Sequence, residues 1–399
     1  MNTFKIMYFL SKGDKSDQDY NYEQQKQFLD SFTEPKSDIE RSFFQYKCQN
    51  FFRSTTKNIL FDCVSFIILI PLIPLLLIRG GFTRFINKEN VIGEFLGFED
   101  LIPDELSSEF TINNDLWNKG FSLSCKDLVF IYQIIKVGYL NPYFILKSII
   151  KVSNYSYNLK TYKPDAIFVH GEYSFCSSLL TKYCEDRHVE HINAMHGEKT
   201  FYIGHAFFRY SRCYVWDKYY IDLLCSLRAY SKQFIISTPL ALKIDLEHSF
   251  DKNVYSDYKY YLQEYDEKHL QMIVDSMNEL KKSGRTVHYR PHPRFSNVSL
   301  LEKYVDDSEI ERPVKVNVSK SVASCEHVVG YSSTVLLQGY LNGRHVILDD
   351  IAYYEENAKL KEFRYILSYK EDVDKLSNII KYENTKNNKS NSNVPIDAV

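Results

Sequence analysis

Two imidazole-glycine-carboxylate triplets open the chemical reading of this chain, His170-Gly171-Glu172 and His196-Gly197-Glu198. An imidazole or a carboxylate can take the proton of an attacking hydroxyl. The glycine between them permits a tight turn or the close approach of a ligand to backbone. His170, Glu172, His196 and Glu198 are therefore each candidate general bases. Each also has a plainer alternative, a hydrogen bond to the sheet or to an acceptor.

A second set is cationic and hydroxylic. Tyr289-Arg290-Pro291-His292-Pro293-Arg294 places a histidine between two prolines, whose fixed φ stiffens the loop. His292 could donate to a departing phosphate, and Arg290 or Arg294 could hold it as a planar charged fork; the alternative is a histidine that caps a turn. Tyr331-Ser332-Ser333-Thr334 precedes an apolar run. Hydroxyls there either cap a helix or, with the free N–H groups and partial positive charge of a helix start, bind a phosphate. Asp349-Asp350 reads as a ribose contact or a helix cap rather than a metal pair.

These residues share a position relative to the elements that must carry them. Pro164 to His170, His191 to Met195, Cys213 to Trp216 and Phe234 to Ser237 read as short buried strands, with a helix from about Ser174 to Asp186 between the first two. The second half repeats the alternation. A helix over Asp266 to Lys282 carries Leu270, Ile273, Val274, Met277 and Leu280 near helical spacing and stops at Gly284. Strands follow at Thr286–Arg290, His327–Gly330 and His345–Leu348, with a helix running to about Leu341. Phe4 to Leu10 reads as a first strand and Tyr22 to Phe32 as a helix. Strand and helix in alternation predict parallel sheets, and ligands of such sheets gather beyond the carboxyl ends of the strands. Nearly every residue singled out above falls at such an end.

The predicted fold is α/β, two Rossmann-like doubly wound domains over 1–238 and 239–383, and 384–399 is a disordered Asn/Lys/Ser-rich tail.

Composition narrows the classes. Hydrophobic residues make up 44% and charged residues 25% of 399, the balance of a folded globular chain. A net charge of -2 gives no global basic field for nucleic acid. The eight cysteines include no CxxC pair, so a zinc ribbon or thioredoxin-type site is unsupported. GxxxxGK[ST], GxGxxG and GxSxG are all missing, which argues against a P-loop hydrolase, a dinucleotide oxidoreductase and a serine hydrolase. Behind Met1-Asn2-Thr3-Phe4-Lys5 there is no long apolar run, so the expected location is the cytoplasm, at the inner face of the cytoplasmic membrane if the apolar run over 63–78 touches lipid.

The membrane enters through Cys63 to Ile78, an uncharged run flanked by Lys57, Asp62, Arg79 and Arg84. It falls short of the roughly 20 residues of a spanning helix and contains Pro71 and Pro74. Three readings stay open: a buried helix and loop, a membrane-surface element, and a true span.

Over residues 160–355 the chain resembles known families. Pro291-His292-Pro293-Arg294 followed by Gly330-Tyr331-Ser332-Ser333-Thr334 is similar to the HP and SS motifs of bacterial sialyltransferases and polysialyltransferases of the GT-B fold. A similar pair occurs in the glycerophosphotransferases that build teichoic acids from CDP-glycerol. Met195-His196-Gly197 resembles the QHG element of the latter and of capsule and O-antigen transferases, with Met195 where Gln is usual. The stretch from Tyr214-Val215-Trp216-Asp217 to Ser237-Thr238-Pro239 resembles that group's domain-crossing segment.

The resemblance implies the GT-B arrangement, two domains facing a central cleft, with acceptor binding in 1–238 and nucleotide-sugar binding in 239–383. It implies a metal-independent, cofactor-free, inverting transferase of surface polysaccharide synthesis (O-antigen, capsule or lipooligosaccharide). It would move a CMP-activated acidic sugar, sialic acid-like or Kdo-like, to a hydroxyl of an oligosaccharide or lipid-linked acceptor. His292 would contact the phosphate of a cytidine nucleotide, and Ser332, Ser333 and Thr334 a phosphate or the sugar's carboxylate. The acidic motif that supplies the sialyltransferase base is absent as written, so His170-Gly171-Glu172 or His196-Gly197-Glu198 would replace it. Three other readings fit the same motifs: a CDP-polyol phosphotransferase, a UDP- or GDP-hexose transferase, and an inactive scaffold.

Overall fold

The computed structural model describes residues 21–94, 102–113 and 120–392; the strand predicted at Phe4–Leu10 lies outside them. The chain divides into two units, Met1–Ala241 and Leu242–Val399.

The first unit begins with three helices, α1 (Tyr22–Asp30), α2 (Asp38–Asn50) and α3 (Thr55–Phe82). Each starts on a side chain that accepts a free N–H of the first turn, Asn21, Ser37 and Ser54 in order. A six-stranded parallel sheet follows in the order β2-β1-β3-β4-β5-β6. Its strands are β1 (Val91–Glu94), β2 (Ile112–Asn113), β3 (Ala166–Val169), β4 (Glu190–Ala194), β5 (Arg212–Val215) and β6 (Phe234–Ile236). Between β2 and β3 come α4 (Leu128–Gly138) and α5 (Pro142–Tyr162); α6 (Ser177–Glu185) and α7 (Lys218–Ser226) follow β3 and β5. All four residues of β3 are buried, as expected of a parallel strand covered on both faces. His191 in β4 belongs to that core. It sits between the Tyr155 hydroxyl at 3.0 Å and Thr181 Oγ1 at 2.8 Å, and burial pushes its pKa down to about 3.

The second unit holds five parallel strands in the order β11-β10-β9-β7-β8. They are β7 (Ser256–Tyr261), β8 (Val287–Arg290), β9 (Cys325–Gly330), β10 (His345–Leu348) and β11 (Asp374–Lys375), with α8 (Glu267–Lys282), α9 (Thr334–Leu341) and α10 (Leu376–Ser392) among them. Asp266 caps α8, and Gly284 ends it at φ +79°, a backbone region that suits glycine. The five predicted apolar residues of α8 pack in one core with Tyr258, Tyr260, Val287 and Tyr289.

Three differences from the sequence reading have physical causes. Strand β7, next to the centre of the sheet, was not predicted because Lys259 interrupts its apolar pattern. That lysine is fully buried and neutralised by Glu311 at 2.5 Å. The segment expected to be disordered from 384 continues α10 as far as Ser392.

The third concerns α3. It runs as one helix through Pro71 and Pro74, both on its exposed side, and the buried helix-and-loop reading does not hold. One face alone is secured to the unit. Asp62 Oδ1 accepts from Tyr143 N at 2.9 Å, Leu76 O from Leu123 N at 2.9 Å, and Gly80 O from Lys160 Nζ at 2.6 Å. At 28 residues α3 is long and apolar enough to cross a membrane by length and composition.

Candidate active site

In the first unit the carboxyl ends of β3 and β4 bring together His170, Glu172 and His196. Gly171 makes the turn after β3. Its N–H donates to Asn193 Oδ1 at 2.7 Å and its carbonyl accepts the Tyr210 hydroxyl at 2.6 Å. A Cβ on Gly171 would lie 3.0 Å from that hydroxyl oxygen, so glycine suits the close approach.

Glu172 is completely buried, with His196 Nδ1 3.2 Å and Lys199 Nζ 3.9 Å from its Oε2. Burial alone would raise its pKa, but the Lys199 charge and the His196 ring hold the carboxyl well below the usual carboxylate range. Glu172 is thus an anion across the whole neutral range. The ring nitrogen that faces the carboxylate is Nδ1, so a proton shared with Glu172 would sit there and leave Nε2 as the accepting nitrogen. His196 itself is half-buried.

His170 stands beside this pair, its ring centroid 5.8 Å from that of His196. Its Nδ1 bonds the Ala194 carbonyl at 2.6 Å, and burial lowers its pKa. A neutral ring donating from Nδ1 keeps its lone pair on Nε2, so His170 stands beside the pair as a second candidate base. Glu198 is half-buried in the loop two residues beyond His196.

Three contributors escape the triplets. Lys199 follows directly on His196-Gly197-Glu198 and is 6% exposed, so its charge is spent inside the site. His205 has its pKa pushed down to about 3 by burial and by Lys199. The third is a pair of buried glutamines one helical turn apart on α2. Gln45 Nε2 donates to the carbonyls of Glu172 and Gly204 at 3.0 and 3.1 Å. Gln49 Nε2 donates to those of Tyr173 and Gly204 at 2.6 and 3.1 Å. Gln45 and Gln49 fall four residues apart on one side of the helix, with Ser42 between Asp38 and Gln45 on the same side, and that spacing was the available signal.

In the second unit His292 follows β8, and Tyr331 to Thr334 follow β9, with β7 between the two strands. Parallel direction puts both loops on one sheet edge, about 10 Å apart by strand spacing. The His292 loop is stapled twice: His292 N donates to Ser296 Oγ at 2.8 Å, and that hydroxyl donates to Gln263 O at 2.8 Å. The ring stacks on Phe295 with centroids 4.4 Å apart. Its Nδ1 accepts the Arg294 backbone N–H at 3.1 Å, so the neutral ring carries its proton on Nε2. The Arg294 side chain is exposed.

Ser333 caps α9, accepting from Val335 N at 3.3 Å; Ser332 is half-buried and Thr334 exposed at the same helix start. Tyr331 stacks on Tyr353 at 4.6 Å.

Arg290 does not join them. Its guanidinium is buried and bonds Glu311 Oε1 at 2.6 Å and the Val316 carbonyl at 2.9 Å. It is a structural cation, and Arg294 remains as the exposed one in this loop. Asp349 is also structural, accepting from the Tyr260 hydroxyl at 2.6 Å and from Ile351 N and Ala352 N. Asp350 accepts from Ser377 N at 3.0 Å at the start of α10, the capping role. Among the described residues, no group of three His, Cys, Asp or Glu side chains is placed to hold a metal ion.

No protein-family model and no curated protein matches the chain. Among solved structures it is similar to a wall teichoic acid polymerase, TagF, at 10% identity and a TM-score of 0.36, over 57% of this chain. The match spans 65% of that polymerase chain. It is also similar to the lipopolysaccharide outer core galactosyltransferase WaaB at 14% identity and a TM-score of 0.38, covering 77% of this chain and 100% of the other. Anabaena Alr3699/HepE in complex with UDP-glucose is similar at 8% identity and a TM-score of 0.40, covering 76% and 90%. The likeness is loose at these values, and the function proposed next rests on the chain's own residues.

Proposed function

We propose that this chain is an inverting glycosyltransferase of GT-B type that uses a nucleotide-linked sugar donor, with His196 as the base. The observation that carries the reading is the buried Glu172 carboxylate 3.2 Å from His196 Nδ1 at the end of a parallel sheet. Water-excluded anions are costly to keep. Here the anion orients an imidazole whose other nitrogen can accept a proton.

In this scheme His196 Nε2 takes the proton of the acceptor hydroxyl as its oxygen bonds to the anomeric carbon. The bond from that carbon to the donor phosphate oxygen breaks, and its electron pair stays on the phosphate. His292 Nε2–H, Arg294 and the start of α9 are the fixed donors proposed for the nucleotide phosphate in the second unit. Charge stabilisation by these groups asks for no metal in the scheme. The donor we propose is CMP-linked and acidic, moved to an oligosaccharide or lipid-linked hydroxyl in surface polysaccharide synthesis. Support for the nucleotide comes from the HP and SS motifs, and from His292 presenting a proton on Nε2.

A thermal-shift screen against CMP, CDP, UMP, UDP, GDP and ADP tests it, since a ligand of the folded state raises the melting temperature. Stabilisation by CMP that His292→Ala abolishes supports the reading. Preference for CDP would favour transfer of a polyol phosphate, and preference for UDP or GDP a hexose donor. If no nucleotide acts at millimolar concentration, the chain is better described as an inactive scaffold.

A further inference from the structure

Helix α3 turns an apolar side to solvent. Phe66, Ile67, Ile70 and Ile78 are 61–69% exposed and Phe82 is 80% exposed. At 3.6 residues per turn Phe66, Ile70, Ile78 and Phe82 all fall on the broad side of the helix away from the buried Ser65, Leu76 and Gly80, and Phe66 to Phe82 spans about 24 Å at the helical rise. An ordinary surface helix shows its polar face there, and a continuous apolar strip of this size marks a contact surface.

Charge at one end of the stripe identifies what it contacts. Arg79, Arg84 and Lys88 are exposed in a stretch that holds no acid from 79 to 88, with Phe82, Phe85 and Ile86 exposed among them. Lys160 joins them by its bond to Gly80 O, and Lys163 by lying 4.7 Å from the Phe85 ring centroid. Lys160 and Lys163 also line a cavity of about 980 Å³ with Lys126. Of the acids of that cavity, Asp127 pairs with Arg187 and Asp186 with Lys182, while Asp165 pairs with Lys88 and so takes up part of that cation's charge. Aromatic and aliphatic side chains interleaved with cations match the boundary of an anionic bilayer, where rings enter the headgroup layer and ammonium groups meet phosphates.

The helix is also secured lengthwise. Its bonds at Asp62, Leu76 and Gly80 are spread along about 27 Å of axis. Those at Asp62 and Gly80 tie it directly to both ends of α5, a helix carrying Lys147, Ser148, Lys151, Asn154 and Asn158. Crossing the hydrocarbon layer would take those groups with it, at a cost the exposed stripe does not offset.

We propose that α3 lies in the plane of an anionic lipid surface, its Phe66–Phe82 stripe submerged and the Arg79–Lys88 cluster on the headgroups. The reading is independent of the donor, because vesicle binding and nucleotide binding are measured separately.

The test is co-sedimentation of the full chain with vesicles of phosphatidylcholine alone and of phosphatidylcholine mixed with phosphatidylglycerol. Binding is expected only to the mixed vesicles and should weaken with salt. Combined Phe66→Ser, Ile70→Ser and Ile78→Ser should cut vesicle affinity at least about tenfold while the nucleotide thermal shift is retained. Cys63, exposed on α3, should lose reactivity toward a water-soluble maleimide when vesicles are added. Three results would each overturn the proposal: no binding to either vesicle, a solution dimer abolished by the triple substitution in place of vesicle binding, or resistance of the vesicle-bound chain to alkaline carbonate extraction, the behaviour of a spanning helix.

Discussion

His292 Nδ1 accepts the backbone N–H of Arg294, two residues along the same proline-bracketed loop, at 3.1 Å. The contact fixes more than orientation. A proton arriving on Nδ1 would face another donor, so the loop as folded is built around the neutral ring. Burial and the Arg294 charge act in the same direction and lower the ring's pKa from its ordinary 6.5. The neutral form therefore persists as pH falls through that value, and the Arg294 bond is lost only below it. Two-dimensional NMR of the imidazole nitrogens in the nucleotide-free protein should give a midpoint under 6.5 with the proton on Nε2 throughout neutrality. A midpoint above 6.5, or a proton on Nδ1, would be incompatible with the loop described.

His196→Ala should lower kcat by about 10²- to 10⁴-fold, the usual contribution of a positioned base. The same variant should leave the donor thermal shift in place, because the nucleotide contacts proposed here lie in the other unit. Glu172→Gln should lower kcat as well, but it also leaves Lys199 buried without its counter-ion. Its melting temperature should therefore fall where that of His196→Ala holds. Equal losses of stability in both variants would remove the distinction between base and orienting anion.

Lys259 and Arg290 converge on Glu311 from the two adjacent strands β7 and β8, with Lys259 fully buried. Breaking such a cluster from one side strands a charge. Glu311→Gln is expected to cost about 3–5 kcal/mol of unfolding free energy, measured by urea denaturation of the full chain. Replacing Lys259, Arg290 and Glu311 together by Met, Met and Leu should recover a large part of that loss, since no charge is left stranded. If the triple variant is no better than the single one, the cost lies in packing and not in charge.

Asp127 supplies an acid-sensitive tie between helices. Burial works to raise its pKa, but bonds from the Ser124 N–H, the Tyr183 hydroxyl and the Ser156 hydroxyl hold it below the ordinary 3.8. A carboxyl lowered in the folded state contributes stability that is fully present above its unfolded value and is lost as pH falls through the folded one. Asp127→Asn should cost about 1–3 kcal/mol at neutral pH and flatten the loss of stability below pH 3.8. Denaturation curves taken at several pH values measure both effects.

How far the sequence reading reached depended on whether an element's neighbours were local. β3 was legible as an unbroken apolar run, and β4, β8, β9 and β10 as short stretches with apolar residues that stop at a Gly, Pro or Asp. β7 was hidden by Lys259, whose partner Glu311 lies 52 residues away. Arg290 was read as a ligand contact for the same reason, since nothing nearby in sequence shows that Glu311 has claimed it. For α3 the two prolines argued for a break, but both sit on the side that faces away from the protein.

Gln45 and Gln49 give the site a history as well as a shape. They grip the loops around Glu172 and Gly204 from a helix that lies 127 residues before the first and 159 before the second. Contacts of that sequence separation are slow to form, because a long stretch of chain must be ordered before they repay its entropy. The sheet can therefore assemble while these two loops are still loose, and the carboxylate meets its imidazole only when α2 docks. Catalytic competence should lag behind secondary structure during refolding, with the lag set by a helix that carries none of the reacting groups.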